Sequence, residues 1–263
     1  MPYKGTRIHV VEFENWIERT ASQIIGENYP LTWKEDQITI ELVKRIQSDL
    51  KEVELVGMRD LIRIEWEAYK LSGKPETAHG DIGVLIQYTL PTGNLLEGAG
   101  FLEAKVRSKD SSKFKEIKPA QLTTILSQSP YSKLLLYDYE KFPTLDSLGF
   151  TTYSNAHPWY LNDAPALART SNVGVVPMNV AKRYTSRDTI LYRFAFSLSH
   201  QLTSRYFQMQ DLDFSDTAIN AVKGFPGTQG GPRVVLVIKI CPPGKEFSKE
   251  SGPHHETYQR IEN

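Results

Sequence analysis

Apolar residues recur at four-residue spacing at Ile38, Leu42, Ile46 and Leu50, with Val43 beside them. That periodicity predicts an amphipathic helix from Thr32 to about Leu50. Thr32 as N-cap and Glu35 three residues on would complete a capping box at its start. The preceding stretch, Phe13 to Ile25, also reads as helical. Beyond the helix the period changes to two: Ile62, Ile64, Trp66 and Ala68 alternate with polar neighbours, predicting a half-buried strand over 61–69. A polar loop, Ser72 to His79, ends it. Two further runs, Asp81 to Leu90 and Leu95 to Val106, flank Pro91-Thr92-Gly93-Asn94, and this predicts a hairpin. Ser108 to Lys118 is polar and basic. A short helix then begins at Pro119, a residue favoured at the first helical position. It carries Gln121, Leu122, Ile125 and Leu126, and a strand follows from Lys133 to Tyr139.

Residues 142–173, rich in Pro, Asn, Asp, Ser and Tyr, read as a long ordered excursion. Val173 to Val180 and Arg233 to Ile240 read as strands, Asp188 to Met209 as one helix, and the polar tail 242–263 as mobile. No low-complexity linker divides the chain. The expectation is therefore an α/β protein forming one elaborated domain over 1–263. Its core spans about 32–140, its C-terminal elaboration 142–240.

Composition narrows the function. Of 263 residues, 40% are hydrophobic and 24% charged, which excludes disorder and fibrous classes. Lys+Arg and Asp+Glu both number 31, so no global field draws the chain to a polyanion and any such site must be a local patch. A single cysteine, Cys241, excludes an internal disulfide and suits a reducing, cytoplasmic setting. No secretory signal or bilayer-length apolar run is visible, so no membrane partner is expected.

The hairpin carries the chemistry. Glu103 and Lys105 are two apart on a strand and share a face. A two-residue turn at Thr92-Gly93 would set Asp81 opposite Ala104. A bulge invited by Gly98-Ala99-Gly100 would set it opposite Glu103 instead. In either register two carboxylates and an ammonium meet, although Asp81 and Glu103 lie 22 residues apart. Two buried carboxylates at one point repel unless a cation joins them. Hard oxygen donors suit Mg²⁺ or Mn²⁺, and a lysine beside such an ion favours phosphodiester hydrolysis.

With Asp81 and Glu103-x-Lys105 in this order, the chain resembles the PD-(D/E)XK nuclease superfamily, the fold of restriction endonucleases. That resemblance implies a mixed central sheet with flanking helices and an αβββαβ core, matching the order read over residues 32–140. Gly80 stands where the family usually has proline. By resemblance, Asp81, Glu103 and the Ala104 carbonyl would bind the divalent metal and Lys105 would orient the attacking water. Glu35 would match a helical glutamate of the same site, and Gln121 a glutamine near the catalytic lysine. The function implied is a metal-dependent DNA endonuclease, RNA being the other possible substrate. The setting implied is a bacterial restriction or anti-phage system, as a homodimer or beside a partner subunit.

Each residue also has a plainer reading. Glu35 is equally a capping-box acid, Asp36 and Glu41 compete with it as helical carboxylates, and Gln121 reads equally as an exposed helix residue. Lys105, Arg107, Lys109, Lys113, Lys115 and Lys118 outnumber Asp110 and Glu116 by four charges. That stretch is either a phosphate-binding patch, with Arg107, Lys109, Lys113, Lys115 and Lys118 as contacts, or a solvated loop. His157-Pro158-Trp159-Tyr160 either stacks on a base or packs under the excursion. His79, near Asp81, is expected in a local hydrogen bond. The competing class is a non-catalytic nucleic-acid-binding or assembly subunit that keeps the fold. A metal-independent hydrolase built on His, Cys or Ser ranks last.

Overall fold

The computed structural model describes residues 5–58, 60–73, 79–114, 119–145, 170–184, 188–225, 231–249 and 252–262. Phe13, Ile17, Ile24 and Ile25 form the buried stripe of helix α1 (Val10–Asn28), and Ile38, Leu42, Val43 and Ile46 that of α2 (Glu35–Asp49). Both stripes press on one face of a mixed ten-stranded sheet.

Its strands are β1 (Thr6–His9), β2 (Glu52–Val56), β3 (Ile62–Leu71), β4 (Ile82–Thr89), β5 (Leu95–Val106), β6 (Lys133–Pro143), β7 (Thr170–Pro177), β8 (Phe196–Ser197), β9 (Val234–Cys241) and β10 (Tyr258–Arg260). The order across the sheet is β1-β2-β3-β9-β4-β5-β6-β7-β8, with β10 on β3. On the opposite face, α3 (Pro119–Gln128) and α4 (Met178–Arg183) cover β6 and β7, while α5 (Asp216–Lys223) covers β4, β5 and β9. The α/β class is as expected. At the centre of the first layer Trp66 lies between Phe13 and Phe207, its ring centroid 6.3 Å and 5.8 Å from theirs.

Three expectations change. β9, an almost wholly apolar run buried at every position, inserts between β3 and β4, antiparallel to the first and parallel to the second. The segment 32–140 therefore does not make a contiguous sheet by itself, and because β2 follows α2 it runs helix, four strands, helix, strand rather than the expected αβββαβ order. The stretch 188–209 is broken rather than one helix: a 3₁₀ turn (Thr189–Phe194), then β8, then a helical turn containing a π segment at Gln201–Arg205. The open edge of β7 recruits Phe196 and Ser197 into the sheet, and the Asp188 and Ser197 side chains cap the turns on either side. The tail is anchored, not mobile. β10 pairs with β3, Tyr258 and Ile261 are buried, and the Tyr258 hydroxyl donates to the Pro232 carbonyl at 2.9 Å. His157, Trp159 and Tyr160 lie outside the described residues.

Candidate active site

The hairpin register is set at its turn. Leu90 N–H bonds Asn94 O and Gly93 N–H bonds Leu90 O, both at 2.8 Å, enclosing a three-residue loop with Gly93 at φ 92°. Pairing then runs without a shift from Thr89↔Leu95 to Ile82↔Leu102. Continued by one residue, it sets Asp81 opposite Glu103. The second of the two expected registers is thus realised, without the expected bulge. Gly98 and Gly100 instead make room for Leu212, Phe214 and Tyr206, which come within about 3 Å of where a Cβ would stand.

The chain enters β4 through Gly80, at φ 92°, where a Cβ would lie 2.9 Å from the Leu102 carbonyl oxygen. A proline is locked near φ −65° and cannot take this conformation, so glycine is the residue that fits here. β4 stops pairing at Leu102, while β5 runs on to Val106 beside β6. On the side that β4 has vacated, two carboxylates take over the ladder. Asp81 Oδ2 accepts from Ala104 N–H at 3.0 Å, and Glu35 Oε1 accepts from Val106 N–H at 3.4 Å. N–H and C=O of one strand residue leave on the same side, so the Ala104 carbonyl is directed toward Asp81 as well.

Glu103 and Lys105, 2% and 7% exposed, are deeply buried for charged residues. Lys105 Nζ donates to Glu103 Oε1 at 2.6 Å and lies 3.7 Å from Glu35 Oε2. Gln121 Nε2, from α3, donates to the same Glu103 oxygen at 2.9 Å. Glu35 from α2, Asp81 from just before β4, Glu103 and Lys105 from β5 and Gln121 from α3 therefore meet at the end of β5.

Electrostatics follow from this crowding. Burial and then repulsion from Asp81 push the Glu103 carboxyl up to about 7, against the pull of Lys105. Burial raises Asp81 as well, outweighing Lys105 and the Ala104 N–H. For Lys105 burial acts downward, but Glu103, Glu35 and Asp81 overcome it and hold the ammonium above its ordinary value. Negative charge is in excess and costly here, which is the condition a divalent cation relieves.

The donor set fits such an ion. Asp81 and Glu103 each engage only one oxygen in these hydrogen bonds, and with the Ala104 carbonyl they form an all-oxygen set suited to Mg²⁺ or Mn²⁺. Only two side chains would ligate. Correspondingly, among the described residues no group of three or more His, Cys, Asp or Glu is placed to hold a metal.

The other sequence expectations divide. The capping box does not form. Lys34 is the N-cap of α2 without a side-chain bond, Thr32 Oγ1 donates to Asn28 Oδ1 at 2.8 Å, and Glu35 turns to β5. Asp36 pairs with Arg233, and Glu41 accepts from Asn28 and Gln37. Arg107 is withdrawn from the proposed phosphate patch. Its Nη1 lies 3.1 Å from Asp138 and 2.6 Å from Glu140, and its guanidinium stacks 4.8 Å over Tyr139. Lys109 and Lys113 are exposed, whereas Lys115 and Lys118 lie outside the described residues. His79 is buried and stacks on Phe101. Two supports escaped sequence reasoning: Trp33 Nε1 donates to Arg107 O at 2.7 Å, and Thr39 bonds the Tyr137 hydroxyl at 2.9 Å. The first ties the loop just before α2 to the end of β5, the second ties α2 itself to β6, and only Thr39 left a sequence signal, a polar group on an apolar helix face.

No family model matches the chain, and neither the curated proteins nor the solved structures contain a match. Among the described residues no helix is long and apolar enough to cross a membrane.

Proposed function

We propose that the chain is a metal-dependent nuclease of the PD-(D/E)XK type that hydrolyses DNA phosphodiesters, working within a bacterial restriction or anti-phage system. The observation that carries this reading is the meeting of Asp81, Glu103 and Lys105 where β4 leaves β5, with Glu35 and Gln121 braced around them. The hairpin β4–β5 followed by α3 and β6, with a helix α2 ahead of it, supports the same reading, although β2 adds a strand to the family's order. Asp81, Glu103 and the Ala104 carbonyl would hold Mg²⁺ or Mn²⁺, which supplies Lewis-acid chemistry at the phosphodiester.

The side chains do the rest. Lys105, held by Glu103 and Glu35, keeps its proton and orients the attacking water while stabilising negative charge gathering on the phosphoryl oxygens. Gln121 fixes the rotamer of Glu103. Lys109 and Lys113, exposed just beyond the site, would add sequence-independent phosphate contacts.

A second reading rests on a specific observation: Asp81 and Glu35 each satisfy a main-chain N–H of β5, which is also how a purely structural strand end would be finished. The non-catalytic assembly subunit is therefore the alternative. Supercoiled plasmid incubated with Mg²⁺ or Mn²⁺ separates the two. The nuclease reading expects metal-dependent nicking that Glu103→Ala and Lys105→Ala both abolish, and metal binding by calorimetry that Asp81→Ala removes. Cleavage unchanged by these substitutions, or no metal binding at all, refutes it.

A further inference from the structure

A second cation stands beside the candidate active site, on a strand that the sequence motif does not include. β4 and β9 run parallel, paired from Ile82↔Val234, and Val234 N–H donates to the Asp81 carbonyl at 3.1 Å. Continued by one residue, that register sets Arg233 beside Asp81, just as the hairpin register sets Glu103 on its other side. Arg233, Asp81 and Glu103 thus stand in one row, on neighbouring chains about 4.8 Å apart.

Local bonds hold the Arg233 backbone in place. Leu71 N–H donates to its carbonyl at 3.0 Å. The Tyr258 hydroxyl donates to the Pro232 carbonyl at 2.9 Å, and the Pro232 ring fills the space that a Cβ on Gly83 would need, 2.6 Å from the ring Cγ. The Arg233 side chain reaches Asp36, in the first turn of α2. Glu35, one residue earlier, faces Lys105. Successive acids of α2 therefore engage one cation each, and Arg233 adds its attraction to that of Lys105 on the Asp81 carboxylate.

Depth distinguishes the two cations. The Glu103 and Lys105 side chains are 2% and 9% exposed, whereas those of Arg233 and Asp36 are 29% and 56% exposed. A DNA strand arriving from solvent meets Arg233 before Lys105. An ion pair this open to water contributes little, so exchanging Asp36 for another anion costs little. The charges agree. With all groups ionised, Asp81, Glu103, Glu35 and Asp36 face Lys105 and Arg233, an excess of two negative charges that one divalent ion neutralises. An incoming phosphate then adds a negative charge, and Arg233 is the more exposed cation of the pair to receive it.

We propose that Arg233 is a substrate-binding residue of this site, exchanging Asp36 for a phosphate of the DNA backbone at the scissile bond or next to it. Its planar guanidinium fork suits two phosphate oxygens. The inference rests on the nuclease reading and deepens it. Substrate is gripped from two sides, by Lys105 from β5 and by Arg233 from the start of β9, so the insertion of β9 beside β4 completes the site.

Three measurements on the full chain test it: plasmid nicking with Mg²⁺, calorimetric titration with Mg²⁺, and anisotropy of a labelled DNA duplex in Ca²⁺. Arg233→Gln should slow nicking about tenfold or more. Arg233→Lys, which keeps the charge and loses the fork, should fall between that variant and wild type. Mg²⁺ binding by Arg233→Gln should be no weaker than wild type, because a cation has left the neighbourhood of Asp81. Its duplex affinity should fall, with a salt dependence shallower by about one ion. Asp36→Asn should nick at least as fast as wild type, since it releases the guanidinium, whereas a purely structural ion pair would make it lose as much as Arg233→Gln. The assignment alone is overturned if wild type nicks or binds DNA and Arg233→Gln does so equally well. It is also overturned if Asp36→Asn is as impaired as Arg233→Gln, or if Arg233→Gln binds Mg²⁺ more weakly. A wild type that neither nicks plasmid nor binds duplex overturns the nuclease reading, and this inference with it.

Discussion

Replacing Glu103 with glutamine should make the metal-free protein more stable, and increasingly so as pH rises. Glutamine reproduces the size of the protonated carboxyl and still accepts from Lys105 and Gln121. In the wild type, burial and Asp81 raise the folded-state value from 4.5 to about 7. The sign follows directly. A carboxyl raised on folding binds more protons in the native state, so its ionisation costs no stability below the unfolded value. The cost grows through the interval and is complete above the folded value.

Each unit is worth roughly 1.4 kcal/mol, giving a full penalty of about 3 kcal/mol. Between pH 5 and pH 8, the gap between Glu103→Gln and wild type should widen by about 2 to 3 kcal/mol. Asp81, relieved of the same repulsion in the variant, shifts the gap in the same direction. Urea unfolding at both pH values, without divalent metal, measures it. At an m-value of roughly 3 kcal/mol per M, the variant's midpoint advantage should grow by close to 1 M. Mg²⁺ at pH 8 should then stabilise the wild type and not the variant. A gap that stays constant from pH 5 to pH 8 would refute the picture of two carboxylates forced together.

Gly80→Ala places a Cβ against the Leu102 carbonyl oxygen at a left-handed φ, and should cost about 1–3 kcal/mol in thermal unfolding while also displacing Asp81. Tyr258→Ala, which empties a buried site where the tail crosses the core, should cost about 3–5 kcal/mol in the same assay. Tyr258→Phe, losing only the bond to Pro232, should cost about 1 kcal/mol. Gln121→Ala deprives the buried Glu103 of one donor, and should slow plasmid nicking while costing about 1–3 kcal/mol in thermal unfolding.

Most of α2, β3, β4, β5, α3 and β6 is legible in the sequence because each buries a face at its own period, and that signal is local. The pairing of Glu103 with Lys105 on one face is legible for the same reason. What Asp81 faces is not, because it depends on whether two or three residues close a turn ten positions away. Glu35 shows a different limit. Its spacing from Thr32 satisfies a capping rule, yet an unpaired Val106 N–H at the end of β5 competes for the same carboxylate and wins. Arg107 reads as part of a basic patch, but Asp138 and Glu140 on the neighbouring strand neutralise it.

By itself, then, the amino-acid order determined α1, α2, α3 and the strands β3 to β7 and β9, the faces they bury, and that two acids and a lysine belong to one hairpin. Tertiary structure decided the rest. It drove β9 between β3 and β4, fastened the tail to β3, broke 188–209 at the edge of β7, turned Glu35 toward Val106 and Lys105, and turned Gln121 toward Glu103. The physical reason is range. Periodicity is written within ten or fifteen residues, whereas a strand's neighbours and a buried charge's partner are settled by competition among groups that meet only when the whole chain has folded.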